Sequence, residues 1–402
     1  MREFDLNRFN MARLALGGEK LVLKKTQYPK PKIEDDSLVD EEGNKIGTKG
    51  DMYTKKIMDY ILQKGCIDHN PRPVYIDFYE GATYNEELNY IELADKTKKE
   101  VYPAQTITVK ENGVEVKTPA HTLSVNNGIE CSYDLSKGET PMITLRPIAT
   151  KASCAEILWI YQKQSNDLVE FDELLGKNTW EENHKINNWW NDWAVRNEDG
   201  SYKLNEKGHP SIFNCYGGTT GPRNMTKTEL IDVIKGNKEK GIQSNPDSRR
   251  LILSLWQIDD FKKDHALKPC AFLTIWNVRH DWDGKDYLDM TLVQRSSDFA
   301  TAGCINQVQY AELLVMIAKE CNLEPGIFTW RPINVQLYDR HIDQAIEMLT
   351  REPINDIDAT IKINEEATSF DEMKPSDLKI LDKEAIQKVK TLNPQLSFPL
   401  GI

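Results

Sequence analysis

The stretch from residue 250 to residue 321 constrains the fold most strongly, because three strand signals in succession precede one long helix signal. The runs RLILSLW, AFLTIWNV and YLDMTLVQRS are rich in β-branched, aromatic and other apolar residues, which favours buried strands. The apolar stretch from Ile305 to Cys321 is too long for an ordinary strand and predicts a core helix. Strands and helices are thus mixed without regular βαβ alternation, which favours an α+β architecture, a mixed sheet packed with helices.

The N-terminal half adds a helix and a strand-rich segment. Residues 52–65 have helical apolar spacing and stop at Gly65, whereas 73–134 contains strand-like runs such as VYIDFY and HTLSV. The turn Glu111-Asn112-Gly113 predicts a hairpin. Further helices are predicted in KASCAEILWIYQKQ, in ELIDVIKGN after the capping box TKTE, and in HIDQAIEMLTRE, which must end before the next proline. No linker or repeat divides the sequence, so we predict one large domain.

The composition excludes several classes of protein. The 402 residues carry 51 Lys and Arg against 63 Asp and Glu, a net charge of −12, which makes the chain a poor general binder of nucleic acid. No apolar run approaches the roughly 20 residues of a membrane-spanning helix, and the start lacks a secretory pattern. The seven cysteines are scattered without a CxxC pair, which indicates neither a disulfide framework nor a metal cluster. We therefore expect a cytoplasmic protein with no metal, no nucleic-acid partner and no membrane contact.

Cys270 is the first candidate for chemistry, because in HALKPCAFLTIW it follows a proline turn and precedes an apolar strand. A single cysteine is usually a buried structural residue, and that alternative stays open here. Arginines also stand at the ends of strands or loops: Arg72, the pair Arg249 and Arg250, and Arg295. Guanidinium groups bind phosphate in bidentate fashion and would lower the pKa of a nearby thiol, although each arginine alone fits a surface charge.

Two further features indicate a site. The run WWNDW, which contains Trp190, suits either a helix that packs on the core or a stacking wall for a planar cofactor. Glu156 lies inside the apolar helix segment CAEILWIY, where an unpaired carboxylate is costly. It is therefore either paired structurally or kept for proton handling.

Read together and in order, these segments resemble the thymidylate synthase family of folate-dependent transferases that act on C5 of pyrimidine nucleotides. The resemblance rests on CAEILWIYQ, WWNDWA, CYGG, NPDSRRLILSLWQ, LKPC, QRSSDFATAGCINQVQY, QLYDRHIDQ and the terminal SFPLGI. It covers about residues 52–72 and 121–402 and implies a catalytic domain over 52–402. Residues 1–51 are then an N-terminal extension, and 73–120 form a β-rich insertion.

The resemblance implies covalent catalysis on dUMP, with 5,10-methylenetetrahydrofolate as co-substrate and no metal. Cys270 matches the nucleophile that adds to C6 of uracil, for which a soft thiolate is suitable. Glu156 and Tyr216 match the pair that handles protons around C5 and O4. Asn306 matches the residue that reads the pyrimidine edge, since its amide can accept from N3–H and donate to O4.

The ligand-binding residues implied by the resemblance fall into two groups. Those that match ligands of the nucleotide are Arg72, Arg249, Arg250, Arg295, Ser296, Asp298, Asn306, Gln336 and Tyr338. Of these, Arg249 and Arg250 match residues that reach the phosphate from the partner subunit of a homodimer. Those that match contacts to the folate are Arg146, Trp190, Asp298, Gly303 and Ile402, the last by the carboxyl tail that closes the site.

Departures from the family pattern lie around O4 and the folate. Ala271 follows the nucleophile where the family almost always has His, Gln336 replaces a His on the sugar, and Arg146 stands where Lys is common. The pterin-side loop reads ATAGCIN in place of the usual FLGxPFN.

We therefore expect water to resolve the methylene intermediate and give 5-hydroxymethyl-dUMP, as in enzymes of bacteriophages with hypermodified DNA; the compartment is then the host cytoplasm. Two alternatives stay open. Trp190 would shield the intermediate from water and favours a thymidylate synthase, which reduces it to dTMP. A non-catalytic nucleotide-binding homologue is the third hypothesis, against which the presence of the nucleophile argues.

Overall fold

A computed structural model describes residues 32–34, 37–39, 46–67, 72–101, 106–120, 122–212, 215–219, 225–237, 245–262, 268–281 and 284–398. Among these residues the strands are β1 (Lys32–Glu34), β2 (Ser37–Val39), β3 (Cys66–Ile67), β4 (Arg72–Glu80), β5 (Thr83–Asn85), β6 (Tyr90–Glu92), β7 (Lys98–Glu100), β8 (Thr106–Lys110), β9 (Gly113–Ala120), β10 (Thr122–Asn126), β11 (Cys131–Asp134), β12 (Leu251–Ser254), β13 (Ala271–His280), β14 (Asp286–Asp298), β15 (Glu324–Tyr338), β16 (Lys362–Ile363) and β17 (Leu378–Lys379).

The α-helices of the same residues are α1 (Lys49–Lys64), α2 (Thr150–Tyr161), α3 (Leu168–Leu174), α4 (Thr179–Asn183), α5 (Lys227–Ile234), α6 (Ile258–Phe261), α7 (Cys304–Glu320), α8 (Ile342–Thr350) and α9 (Lys383–Leu392). Helix α1 begins earlier than the predicted residue 52, because the Thr48 side chain caps it and forms a capping box with Asp51. The capping box predicted for α5 is present, with Thr226 and Glu229 each accepting from the other's backbone amide.

A seven-stranded sheet organises the molecule, with strand order β12-β13-β14-β15-β10-β3 and with β11 also paired to β15. Strands β14 and β15 run parallel, and the other neighbours are antiparallel. Helices α2 and α7 contact each other, and α7 packs on β14 and β15. The largest side chains of this core include Trp159, Trp276 and Trp330, which are fully buried. The mixed sheet packed with helices confirms the predicted α+β fold.

The opposite face of the sheet is only partly covered. Ile252, Ile275, Thr291 and Thr329 lie in register across four adjacent strands. None of the four is buried, and Ile252 is 40% exposed. Alternate residues of one strand thus face the core and a surface that is apolar in part. A partly apolar and partly exposed sheet face of this kind is compatible with an interface.

The segment from residue 73 to residue 120 contains two small sheets, ordered β4-β9-β8 and β5-β6-β7. Strands β8 and β9 form the hairpin at Glu111-Asn112-Gly113, with Lys110 opposite Gly113. A separate small core there contains Ile91, Val114 and Val116. Its limits as an insertion stay a prediction, and most of the extension 1–51 lies outside the described residues. No helix within the described ranges has both the length and the apolar character needed to cross a membrane.

Candidate active site

Cys270 lies immediately before β13, at the end of the central strands. Its carbonyl accepts a hydrogen bond of 2.9 Å from the amide of Arg295, and its own amide donates to the Tyr216 hydroxyl over 3.2 Å. The side chain is half-buried. The nucleophile candidate is therefore held by β14 on one side and by the Tyr216 turn on the other.

Arg295 is fixed beside this thiol. Its Nε donates to the carbonyl of Pro269 at 2.9 Å, and its Nη2 donates to that of Lys268 at 2.6 Å. The charge of Arg295 lowers the pKa of Cys270, but burial has the larger and opposite effect, so the pKa lies above its ordinary value of 9.0. The arginine therefore acts on the thiol in the direction expected from the sequence, but desolvation outweighs it.

Glu156 projects from α2 and is 7% exposed. Burial raises its pKa to about 7, while the neighbouring side chains of Gln309, Trp190 and Trp189 act in the opposite direction. A carboxyl with a pKa near neutrality can both take up and release a proton under physiological conditions. This environment fits the proton-handling role predicted from the sequence.

Tyr216 and Trp190 form a wall next to Glu156. Their rings are edge to face with centroids 5.3 Å apart, and Trp190 also packs on Trp159 at 5.9 Å. Tyr216 has a left-handed φ of 43°, which is unfavourable for a tyrosine. The adjoining Gly217 explains how the turn fits, since a Cβ there would lie 2.3 Å from the Ser165 carbonyl oxygen.

Asn306 lies in the first turn of α7 and is embedded in a row of amides. Its Oδ1 accepts from Gln294 Nε2 at 3.0 Å, and its Nδ2 donates to Gln309 Oε1 at 2.9 Å. These two bonds leave one N–H and one lone pair of the Asn306 amide for a ligand. That pattern complements O4 and N3–H of uracil.

Arg146 and Gly303, two of the residues predicted to contact the folate, lie at a π-helical turn, Phe299–Gly303, where the sequence suggested a loop. Arg146 is buried, and its Nη2 donates to the carbonyls of Ala300 and Thr301 at 3.0 and 2.9 Å. A Cβ on Gly303 would come within 2.7 Å of the Phe299 ring, so a close approach requires glycine there. Arg146 therefore supports the turn directly, a contact that spacing along the chain does not predict.

Asp298 and Gln336 lie opposite each other at the end of β14 and β15. Asp298 Oδ1 and Gln336 Oε1 are both buried and accept no hydrogen bond within the described part of the chain. His341 Nδ1 is 3.5 Å from Asp298 Oδ1, too far for a good hydrogen bond, so both acceptors are available to donors of a ligand. Within the same described part, no His, Cys, Asp and Glu side chains are grouped so as to hold a metal ion.

Comparison with known proteins identifies the family. The sequence model described as thymidylate synthase matches residues 101–392. A thymidylate synthase of Lactococcus lactis is 35% identical over 356 residues, and one of Streptococcus pneumoniae is 39% identical over 357 residues; each match covers 88% of this chain and all of the relative. The chain belongs to the thymidylate synthase family. It is therefore an enzyme of a one-carbon transferase family.

A solved structure supports the same fold. Thermostable thymidylate synthase A from Bacillus subtilis superposes with a TM-score of 0.60 at 24% identity, over 87% of this chain and 99% of that one. At this identity the likeness is evidence for the fold alone. It agrees with the mixed sheet and its helical layer.

Several other predicted residues of this thymidylate synthase family member are exposed or half-buried. Arg249 and Arg250 are exposed just before β12, and Ser296 is half-buried near the end of β14. Tyr338 ends β15, with its ring 5.5 Å from that of His341. Of Arg72 the structure describes only the backbone, at the start of β4.

Ile402 lies outside the described residues. The tail before it comes close to the site, because the Phe398 ring lies 5.3 Å from the Arg146 guanidinium carbon and 5.5 Å from His341. His341 Nδ1 is in turn 3.5 Å from Asp298 Oδ1. The approach of Phe398 agrees with the predicted position of the tail, which stays a prediction for Ile402 itself.

Sequence reasoning missed two residues of the site, Gln294 and Gln309. Gln294 precedes Arg295 in the QRSSD segment, and Gln309 follows Asn306 by one helical turn. The spacing of three residues on a helix places Asn306 and Gln309 on one face, which was an available signal.

Proposed function

We propose that this protein is a thymidylate synthase that converts dUMP to dTMP with 5,10-methylenetetrahydrofolate. Relatives that carry this name match the chain over their whole length at 35% and 39% identity. The observation that carries the choice of hydride over water is Trp190. Trp190 is 7% exposed, and its ring packs edge to face on Tyr216, next to Glu156. In this position it would keep water away from the carbon that reacts.

Each buried residue has a role in this chemistry. The Cys270 thiolate adds to C6 of uracil, and the electron pair of the C5–C6 bond moves towards O4, where Asn306 donates a hydrogen bond. Arg295 favours the thiolate once the substrate is bound. C5 then bonds to the one-carbon unit, and Glu156 and Tyr216 take the proton from C5, which expels the carrier amine and leaves a methylene group on C5. Once hydride has been added to that methylene carbon, the sulfur leaves C6 and the C5–C6 double bond forms again.

The folate supplies the one-carbon unit and then the hydride, and it leaves as dihydrofolate. The residues present fit such a group, because the buried Oδ1 of Asp298 accepts no hydrogen bond and a pterin offers N–H donors. Trp190 offers an aromatic surface for the pterin. Arg146 and Gly303 shape the turn Phe299–Gly303. Ile402 would close the site through the chain terminus.

The phosphate is bound by Arg295 and Ser296 together with Arg72, and from a second subunit by Arg249 and Arg250. The partly uncovered sheet face supports the homodimer, since Ile252, Ile275, Thr291 and Thr329 offer an in-register row to an identical row. Gln336 and Tyr338 contact the sugar. The arginines at the start of β12 border this face.

Hydroxymethylation is the second candidate, and Ala271 is the observation that favours it. A methyl group replaces a larger side chain beside the nucleophile, which leaves space for a water. Ala271 is however only 4% exposed, and the Tyr310 hydroxyl lies 3.4 Å from its carbonyl oxygen. This packing supports the reductive reaction more than the hydrating one.

Mass analysis of the nucleotide product tests the two candidates. Purified protein with dUMP and 5,10-methylenetetrahydrofolate should form dTMP and dihydrofolate in equal amounts. A product heavier by one oxygen, with tetrahydrofolate and no dihydrofolate, would overturn the proposal in favour of hydroxymethylation. The Trp190→Ala variant sharpens the test, because opening the wall should raise the share of hydroxylated product.

A further inference from the structure

A directional series of hydrogen bonds crosses the core of the site. Trp330 Nε1 donates to Gln294 Oε1 at 2.9 Å, Gln294 Nε2 donates to Asn306 Oδ1 at 3.0 Å, and Asn306 Nδ2 donates to Gln309 Oε1 at 2.9 Å. An indole N–H can only donate, so it fixes the orientation of the first amide. Each amide then fixes the next, and the series ends with the Nε2 of Gln309.

The last residue of this series, Gln309, has a buried donor group without a hydrogen-bond partner among the described residues. Gln309 is 2% exposed, and its Nε2 is buried without a partner at hydrogen-bonding distance. Gln309 is also the foremost of the side chains that stabilise the carboxylate of Glu156. Gln309 is thus hydrogen-bonded to Asn306 and close enough to Glu156 to influence its pKa, and its buried Nε2 is available as a donor.

The residue after the nucleophile cannot serve this region. Ala271 has no polar side-chain atom, and α7 lies against it through Tyr310, whose hydroxyl is 3.4 Å from the Ala271 carbonyl oxygen. On α7, Gln309 accepts a hydrogen bond from Asn306 and offers its Nε2 as a donor to Glu156.

We propose that Gln309 is a positioning residue that joins Asn306 to Glu156 and so aligns uracil recognition with proton transfer in a site that has only a methyl group at residue 271. The inference rests on the proposed action on dUMP. Its Oε1 holds the Asn306 amide in the orientation that suits uracil. Its Nε2 stabilises the ionised form of Glu156, directly or through one bridging water.

The titratable groups that face Glu156 do not interfere with a measurement of its protonation. Tyr216 and Tyr310 are its titratable neighbours among the described residues, and burial raises the pKa of both well above the ordinary value of 10.0. They stay protonated while Glu156 titrates around pH 7. Infrared difference spectra of protein labelled with ¹³C at glutamate, with Glu156→Gln as the reference, therefore report this carboxyl without any substrate.

Gln309→Met removes the amide at nearly constant volume. We expect the midpoint of the Glu156 titration to move to higher pH and the preference for dUMP over dCMP in kcat/KM to fall about tenfold, the effect of one lost hydrogen bond. Gln309→Glu keeps an acceptor for Asn306 but places a second carboxyl beside Glu156. It should move the titration upwards as well and retain the preference for dUMP.

Gln307→Met is the matched control. Gln307 is a buried amide of the same helix, but it accepts from Tyr133 and donates to the Gly303 carbonyl. It should leave the titration midpoint of Glu156 unchanged. If Gln309→Met and Gln309→Glu both titrate as the unmodified protein does, Gln309 only fills space and the inference is wrong. A failure of the proposed function would instead appear as absent turnover of dUMP by the unmodified protein, with the titration shifts intact.

Discussion

Glu156 and Asn306 project from helices α2 and α7, which pack against each other within one chain, whereas Arg249 and Arg250 are exposed just before β12. The buried half of the site, which also contains Cys270, is held by hydrogen bonds and packing before any ligand binds. The exposed half is two charged side chains whose proposed ligand is a phosphate in another subunit. Under the proposed function, this difference would mean that the chemical groups are positioned within one subunit and that a second subunit completes anion binding.

Burial of the titratable groups in the first half of the site costs free energy. Desolvation raises the pKa of both Glu156 and Cys270, so each carries its proton more readily than in water. The exposed arginines have no such cost, but their attraction for a phosphate is screened by salt. Substitutions in the two halves should therefore have different consequences, large for turnover in the first and moderate for binding in the second.

The largest effect is expected for Cys270→Ala. Loss of a covalent nucleophile should lower turnover by roughly 10⁶-fold, while dUMP still binds through its arginine and amide contacts. Release of tritium from dUMP labelled at C5 measures the first quantity, and calorimetric titration measures the second. Cys321→Ala, which removes a half-buried thiol beyond the far end of α7, is the control and should turn over normally. Substantial tritium release by the Cys270→Ala variant would show that another group is the nucleophile.

The next effect is that of Glu156→Gln, which should lower turnover by about 10²- to 10⁴-fold, as expected for loss of a general acid or base. The variant should also change the dependence of stability on pH. The pKa of Glu156 is about 7 in the folded protein against an ordinary 4.5, so the folded state binds this proton more tightly than the unfolded chain does. The free energy of unfolding should therefore fall by about 3 kcal/mol as pH rises from 4.5 to 7 and then level off.

Urea unfolding at pH 5 and pH 8, at one protein concentration, measures this slope. In the Glu156→Gln variant, the free energy of unfolding should no longer show the part of this decrease that Glu156 contributes. Glu312→Gln is the control: Glu312 is a buried carboxyl on α7 that accepts a hydrogen bond from Ser153, and burial raises its pKa well above the ordinary value. It should reduce the slope without a comparable loss of turnover. A Glu156→Gln variant with normal turnover would remove Glu156 from the proton path.

Asn306→Asp probes how the buried half reads the base. A protonated Asp donates to N3 of cytosine and accepts from its amino group, the reverse of the uracil pattern. The ratio of kcat/KM for dUMP and dCMP should move towards dCMP by about 10- to 100-fold. Asn334→Asp, on β15 with its amide bonded to Asn126, should leave the ratio unchanged. An unaltered ratio in a folded Asn306→Asp protein would mean that other groups recognise the base.

Much of this arrangement could be predicted from the sequence. The strand and helix signals around Cys270 and Asn306 were strong because apolar runs of their lengths fit few alternatives, and the resemblance brought Glu156 and Tyr216 to the same place. The sign of the Cys270 pKa shift could not be predicted, since desolvation depends on packing that spacing does not reveal. The role of Gln309 was missed for a similar reason, because an amide acquires a direction only when its neighbours on β14 and β15 are in place.

The smallest effect is expected in the exposed half of the site. Substituting Arg250 there directly tests whether the two halves belong to different subunits. At dUMP concentrations below the KM, the Arg250→Ala homodimer should turn over more slowly because it lacks a phosphate ligand, and the Cys270→Ala homodimer should be inactive because it lacks a nucleophile. If Arg250 serves the partner's site, a mixed dimer has one complete site, so random exchange of equal amounts should restore about a quarter of the normal activity. The measurement is turnover after subunit exchange, with exchange itself followed by native mass spectrometry. Exchange without recovered activity would place Arg250 in the site of its own chain and would mean that both halves of the site belong to one subunit.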